Sequence, residues 1–369
     1  MKNRISDILI IALFIAFVGG ICAAQALLPD GAVSAAERRK LAQAPEFSAQ
    51  AVFSGKFAED AEKYLADQFP LRQQFRTLKA AWQFGVFRAK DNDGVYIAGN
   101  SVYSLAKPLE EAQTEALISS TNAVYAKYLS GLKTYFAAVP DKSRGEAEKY
   151  GYPEVDHGEL DRLLKDGLDA GIKYLGFSPC AGLTADDYYK TDLHWRQERL
   201  QPVLDALGAA MDFAPPDISG WRADVFSPFY GVYCGQSALD VEYDSITCLS
   251  SAAVDASAVT GAEFAGEKAV YDPADAHSLD GYDIFLGGAQ AVLTVVNPTG
   301  KTGRELYIFR DSFASSLAPL LLESYDRITL IDLRYIAADL VGDYVDFAPG
   351  ADALFLYSTE VLQNGMLLK

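Results

Sequence analysis

Glu305-Leu306-Tyr307-Ile308-Phe309-Arg310-Asp311-Ser312-Phe313 reads as a strand that ends in a turn. Leu306 to Phe309 is a short, bounded apolar run, the pattern of a strand buried on both faces. The chain then turns at Asp311-Ser312, and a helix is expected from Phe313 to about Ser324. Ligands of open α/β sheets bind beyond the carboxyl ends of the strands. Ser312 therefore stands where a nucleophile belongs, with helix-start N–H groups available to a developing oxyanion. A plain helix cap by Asp311 or Ser312 explains the same residues.

Thr134 to Val139, Gly171 to Leu175, Gln290 to Val296, Ile328 to Asp332 and Ala353 to Tyr357 are further bounded apolar runs. Helical spacing separates them at Leu109–Leu132, Asp161–Ala170 and the end of Thr191–Ala210. That alternation predicts an α/β fold, a mostly parallel sheet covered by helices on both faces. Val95-Tyr96-Ile97 follows the turn Asp91–Gly94 as a short hairpin strand. Residues 214–288 differ: Pro215-Pro216 and abundant Ser, Asp, Tyr and Gly read as β-hairpins and loops inserted in the α/β core. Val241 to Thr247 is one possible strand there.

The N-terminus carries Lys2 and Arg4, then an uncharged stretch from Ile8 to Ala24 that reaches Leu28 with only Gln25 polar. This approaches the ~20 residues that span a bilayer. A basic flank on the short side holds that end in the cytoplasm and exports the rest. Two readings are open: an uncleaved transmembrane anchor, or a signal peptide cut near Ala24-Gln25-Ala26. Cys22 is a poor lipoprotein cysteine because Ile21 precedes it. The expected organisation is an anchor or signal over 1–28, a tether with amphipathic helices over 29–90, and an α/β domain over 91–369. Phe57, Ala61, Tyr64-Leu65 and Phe69 fall at helical spacing. After Pro70, Leu71, Phe75, Leu78 and Trp82 follow at steps of four, three and four. Both apolar faces are expected to pack against the main domain.

The chain has 369 residues, half of them hydrophobic, so a sizeable core is available. Its net charge of −18 repels phosphate backbones and excludes nucleic acid as a partner. Cys180, Cys234 and Cys248 allow one bridge at most; a Cys234–Cys248 staple and three reduced thiols are both open. No residue spacing suggests a metal site, and no cofactor is expected.

Only three histidines occur, and His194 lies in Lys190-Thr191-Asp192-Leu193-His194-Trp195. Asp192 can fix the tautomer of His194 and stabilise its charged form, which is what a base serving a hydroxyl nucleophile needs. His157 and His277 sit in polar contexts with no partner pattern.

Tyr189 to Trp195 resembles the motif of the DHHW family of bacterial exported proteins, and Arg310-Asp311-Ser312-Phe313 resembles that family's serine motif. The resemblance extends to Arg39-Lys40-Leu41 with Pro45-Glu46, to Asp67–Arg72, to Val139–Lys142 and to Ile331–Tyr335, in the family's order. Leu193 departs from it, standing where the family name has a first histidine. The family is similar to the SGNH hydrolases, in particular to the alginate O-acetyltransferases, which also place Asp-x-His before Ser. The resemblance implies an SGNH-hydrolase-like three-layer α/β/α fold. It implies Ser312 as nucleophile, His194 as base and Asp192 as orienter of the base. The activity implied is O-acetylation of a cell-surface polysaccharide through an acyl-serine. The alternatives are a carbohydrate esterase with the same triad, or a catalytically idle glycan-binding or envelope-assembly protein. Acetyl-CoA is absent outside the cell, so a membrane-bound acyltransferase is expected as acyl donor. The expected location is the cell membrane, single-pass, with the C-terminal domain extracytoplasmic, or secreted if cleaved.

Further site candidates are Asp311 and Phe313 beside the serine, and Lys142, which either binds glycan or is simply exposed. Trp195 either stacks on a sugar or anchors its loop in the core. Arg334 either contacts substrate or pairs with an acid, the simpler reading. Tyr230-Gly231 is a candidate source of an oxyanion donor.

Overall fold

The computed structural model describes residues 2–34, 37–238 and 241–369. They form two compact units, Met1–Asp93 with Cys234–Asp240, and Gly94–Tyr233 with Val241–Lys369.

In the first unit, helix α1 (Lys2–Leu27) contains Ser6–Leu27, long and apolar enough to cross a membrane by length and composition. Helices α2 (Lys56–Asp67) and α3 (Arg72–Gly85) follow. The expected tether is no loose linker. Arg39 forms a bidentate pair with Asp67 at 2.8 and 2.6 Å, and Glu37 accepts from Arg39 and Arg72. Gln68 closes the wrap by donating to the carbonyls of Gly31 and Ala42. Phe57, Ala61 and Tyr64 of α2 and Phe69 just after it are half-buried. Leu65, Leu71, Phe75, Leu78 and Trp82 are all exposed.

The second unit is built on an eight-stranded sheet: β1 (Lys133–Val139), β2 (Ile172–Gly176), β3 (Ala258–Gly261), β4 (Phe264–Ala269), β5 (Val292–Val296), β6 (Glu305–Arg310), β7 (Arg327–Ile331) and β8 (Asp352–Ser358). The strand order is β4-β3-β5-β7-β6-β8-β1-β2. The five strands from β7 to β2 run parallel, and β5, β3 and β4 extend the other edge antiparallel.

Alternation along the strands divides the core into two layers. Ala137, Leu306, Ile308 and Leu354 face one side, with Val203, Leu204 and Leu207 of α6 (Gln201–Met211). Phe136, Tyr307, Phe309 and Phe355 face the other. There they meet Leu117 of α4 (Glu111–Val124) and Leu160 and Leu164 of α5 (His157–Gly167). This is the layered, mostly parallel α/β architecture that the alternation of runs predicts.

Two expectations fail in detail. Residues 258–269 form a hairpin, as expected, but not one set apart from the core: they add β3 and β4 to the main sheet, β3 pairing with β5 from Val296↔Ala258 to Leu293↔Gly261. The antiparallel pair Arg222–Phe229 with Asp244–Ser250 does stand apart as a two-stranded sheet. The helix expected over 313–324 stops early, as α7 (Phe313–Leu317). Pro319 has no N–H to donate, and its ring clashes with the carbonyl four residues back, so the chain continues as a tighter 3-10 turn over Ala318–Leu321. The cysteines are all free, Cys180 and Cys248 buried.

Candidate active site

Ser312 follows β6 after Asp311 and stands at the N-cap position of α7, where its side chain makes no capping hydrogen bond. Asp311 shapes this turn with both carboxylate oxygens: one accepts from the Phe313 N–H at 3.0 Å, the other from the Ser358 N–H at 2.7 Å. Ser358 ends the neighbouring parallel strand β8, so Asp311 locks the turn to the sheet. Burying one carboxylate is offset by two amide donors.

The loop carrying His194 closes on itself. Tyr188 bridges Trp195, and the Tyr189 N–H reaches the His194 carbonyl at 3.0 Å. Asp244, buried, accepts from the amides of Lys190 and Thr191, from the Thr191 hydroxyl and from Arg196. The Lys142 ammonium, also buried, donates to the carbonyls of Tyr189, Lys190 and Asp192 at 2.9, 2.8 and 3.2 Å. One anion on the amides and one cation on the carbonyls thus fix this loop from two sides.

These two segments meet. His194 Nε2 lies 2.7 Å from Ser312 Oγ, and His194 Nδ1 lies 2.6 Å from Asp192 Oδ1. Asp192 Oδ1 also accepts the His194 N–H at 3.0 Å, and Oδ2 accepts the Val232 N–H at 2.8 Å. With N–H donors on both oxygens, Asp192 acts as an acceptor-only carboxylate. That places the imidazole proton on Nδ1 and leaves Nε2 to accept from the serine hydroxyl. Asp192 and His194 are both buried, and Ser312 is partly accessible.

Residues that the sequence did not single out complete the arrangement. The Tyr282 ring stacks on the His194 imidazole, centroids 3.7 Å apart and planes 8° from parallel. Burial raises the Tyr282 phenol well above its usual range, so it stays a donor, and it donates to Ser316 Oγ at 2.8 Å. Trp195 Nε1 donates to the same oxygen at 2.9 Å, joining the histidine loop to the serine helix. No motif marks Tyr282, 88 residues beyond His194, or Asp244, one of several acids before a strand.

The remaining candidates have other duties. Trp195 is fully buried, an anchor and not a sugar platform. Lys142 is neither exposed nor open to a glycan, because three carbonyls occupy its ammonium. Phe313 is buried beside the His194 and Trp195 rings. Its amide is committed to Asp311, so α7 does not offer that N–H to an oxyanion. Arg334 pairs in bidentate fashion with Asp332 at 2.9 and 2.6 Å. The Gly231 N–H is bound to Thr191 Oγ1; the neighbouring Val232 amide instead serves Asp192. A Cβ on Gly231 would come within 2.2 Å of the Thr191 carbonyl oxygen, so only glycine lets this segment approach the loop. His157 does have a partner: its Nε2 lies 3.0 Å from Asp141 Oδ2.

Among solved structures, a DHHW family protein from Eubacterium siraeum superposes with a TM-score of 0.60 at 18% identity, covering 75% of this chain and 94% of that one. The chain has the fold of a DHHW family protein. Bacillus cereus PatB1 is also similar, with a TM-score of 0.55 at 15% identity over 74% of this chain and 98% of that one. PatB1 solved with a sulfonyl adduct gives 0.56 at 16% identity, over 74% of this chain and 97% of that one. No protein-family model matches the sequence, and no curated protein matches it significantly. The DHHW fold agrees with the family resemblance carried by the Tyr189–Trp195 and Arg310–Phe313 motifs.

Proposed function

We propose that this chain is a membrane-anchored, extracytoplasmic serine acyltransferase that O-acetylates a cell-surface polysaccharide. The observation that carries the reading is the unbroken relay Ser312 Oγ, His194 Nε2, His194 Nδ1 and Asp192 Oδ1, with separations of 2.7 and 2.6 Å. In the first half-reaction Ser312 Oγ attacks the acetyl carbonyl of an ester donor while its proton passes to His194 Nε2. Collapse of the tetrahedral adduct breaks the donor's ester bond, and His194 returns the proton to the departing alkoxide. In the second half-reaction His194 deprotonates a sugar hydroxyl, which attacks the acetyl-serine. The new sugar ester leaves, and Ser312 recovers its proton. The Ser312 N–H makes no hydrogen bond among the described residues, and we assign it as a donor to the adduct's oxyanion.

The donor reaches this side of the membrane as an acyl group handed over by a membrane-bound acyltransferase partner. The apolar helix α1 supports the anchored location, with the basic residues Lys2 and Arg4 on its short side. Water in place of the sugar hydroxyl would make the same relay a deacetylase. Incubating the full-length protein with an acetyl ester and a glycan acceptor separates the two: acetylated glycan is expected, and free acetate alone defeats the transferase assignment. PatB1 has been obtained with a sulfonyl adduct. A sulfonyl fluoride is therefore the probe for Ser312, with the modified peptide read by mass spectrometry. Labelling that persists in Ser312→Ala rules out this serine as the nucleophile.

A further inference from the structure

We propose that α3, with Leu71 before it and Val86-Phe87-Arg88 after it, lies in the interface of a lipid bilayer. This rests on reading α1 as the membrane-crossing segment.

The helix is amphipathic the wrong way round for water. Phe75, Leu78, Trp82 and Val86 recur at steps of three, four and four and so share one stripe. They are 42, 52, 50 and 59% exposed. Leu71 extends the stripe at one end. At the other end Phe87 folds back, its ring centroid 6.3 Å from that of Trp82. The inward side carries cations instead: Arg72 donates to Glu37, and Arg76 lies 3.5 Å from the same carboxylate. A helix facing water turns its apolar stripe inward and its charges out. A contiguous exposed stripe of this kind marks an interaction surface.

Two further observations select lipid as the occupant. The first is position. Gln25, in the last turn of α1, donates to the carbonyl of Leu65 in α2 at 3.0 Å. The segment just beyond α1 is tied to the same end of α2 by Tyr64 with Asp30 and by Gln68 with Gly31. The α2–α3 hairpin is therefore fastened where the apolar helix ends, which is the depth of headgroups and of interfacial aromatic residues. The second is charge. From Leu71 to Lys90 no acidic residue occurs, in a protein of net charge −18. Arg72 and Arg76 are taken up inward by Glu37 and Lys79 lies 3.4 Å from Asp93, so the basic side chain beside the stripe is that of Arg88. Arg88 is exposed beside Phe87. Aromatic and aliphatic side chains on one face with basic residues around them are the composition of helices that lie in anionic membrane surfaces.

The test uses the full-length protein reconstituted into phosphatidylcholine–phosphatidylglycerol vesicles containing phosphatidylcholine brominated at shallow or deep chain positions. Trp82 emission is isolated as the difference between the native chain and Trp82→Phe. The expected result is strong quenching of Trp82 by shallow bromines, weaker quenching by deep ones, and loss of most of the quenching in Phe75→Asp/Leu78→Asp. Alkaline extraction of the same vesicles reads α1 independently. An extractable chain with quenched Trp82 upholds the interfacial helix and removes the anchor. A chain that resists extraction while Trp82 stays unquenched overturns the proposal and leaves the anchor standing. Shielding of Trp82 only on addition of another membrane protein also overturns it, in favour of a protein occupant.

Discussion

The imidazole of His194 lies flat on the phenol ring of Tyr282, with 3.7 Å between centroids, and the tilted ring of Phe313 lies 4.9 Å away. The histidine is thereby held in the plane that serves Asp192 and Ser312 together. Tyr282 is in turn fixed by its hydroxyl on Ser316, in the helix that Ser312 begins. An aromatic pair contributes about 0.5–1.5 kcal/mol beyond burial. Tyr282→Leu is therefore expected to lower kcat/KM for acetyl-ester hydrolysis by about 2- to 13-fold. Tyr282→Phe keeps the stack and should fall less. Equal losses in the two variants would assign the effect to the hydroxyl.

Asp192→Asn is the most damaging substitution that preserves shape. Its amide nitrogen would face an N–H donor at one of the two positions where Asp192 now accepts, including the Val232 amide. The histidine would lose the acceptor that fixes its tautomer, and kcat should fall about 10^4-fold, the size of effect seen when a triad aspartate becomes asparagine. Thermal unfolding should show a much smaller change. A variant within tenfold of the native rate would remove Asp192 from the relay.

Lys142→Met tests the cation beneath the loop. Three carbonyls lose their charged donor at once, and one belongs to Asp192. The Lys190 carbonyl keeps the Val102 amide at 2.8 Å, so the loss falls on those of Tyr189 and Asp192. Buried groups left without partners cost about 1–3 kcal/mol each, so a loss of about 2 kcal/mol or more is expected in urea unfolding, with activity reduced as well. Unchanged stability would mean that water replaces the ammonium.

Asp141 connects stability to pH. Burial alone would raise its carboxyl, but the hydrogen bonds from His157 and from Ser143 outweigh this and hold it below its ordinary value. The folded protein thus favours the carboxylate more than the unfolded chain does. The resulting stability is present above the unfolded pKa, about 3.9, and is lost as pH falls through the depressed folded value. Asp141→Asn should be less stable than the native protein at pH 6, and the gap should narrow towards pH 2 in acid-unfolding curves. A constant gap would show that the carboxylate's charge contributes nothing.

Much of the site was legible because its elements are local. Leu306–Phe309 has the composition of a fully buried strand, and the turn at Asp311-Ser312 follows wherever such a strand ends. Asp192 and His194 are two residues apart, so their contact needs only one short loop. The supporting residues were not legible. Val232, Tyr282 and Lys142 lie 40, 90 and 50 residues from Asp192. Each serves through packing or a backbone bond that leaves no periodic or compositional trace. Lys142 illustrates the difficulty: a lysine after a strand end reads as exposed, and only the folded loop shows three carbonyls converging on it.

By itself the sequence determined the alternation of strands and helices, the apolar N-terminal helix, the serine turn and the Asp-x-His pair. These depend on side-chain periodicity and on contacts within a few residues. The tertiary structure decided which strands complete the sheet, what each buried charge is bonded to, and which way α3 turns its apolar stripe. Periodicity defines the two faces of a helix but does not say which one points inward. For α3 that was settled by Glu37, whose carboxylate draws Arg72 and Arg76 towards the protein and leaves Phe75, Leu78 and Trp82 outside.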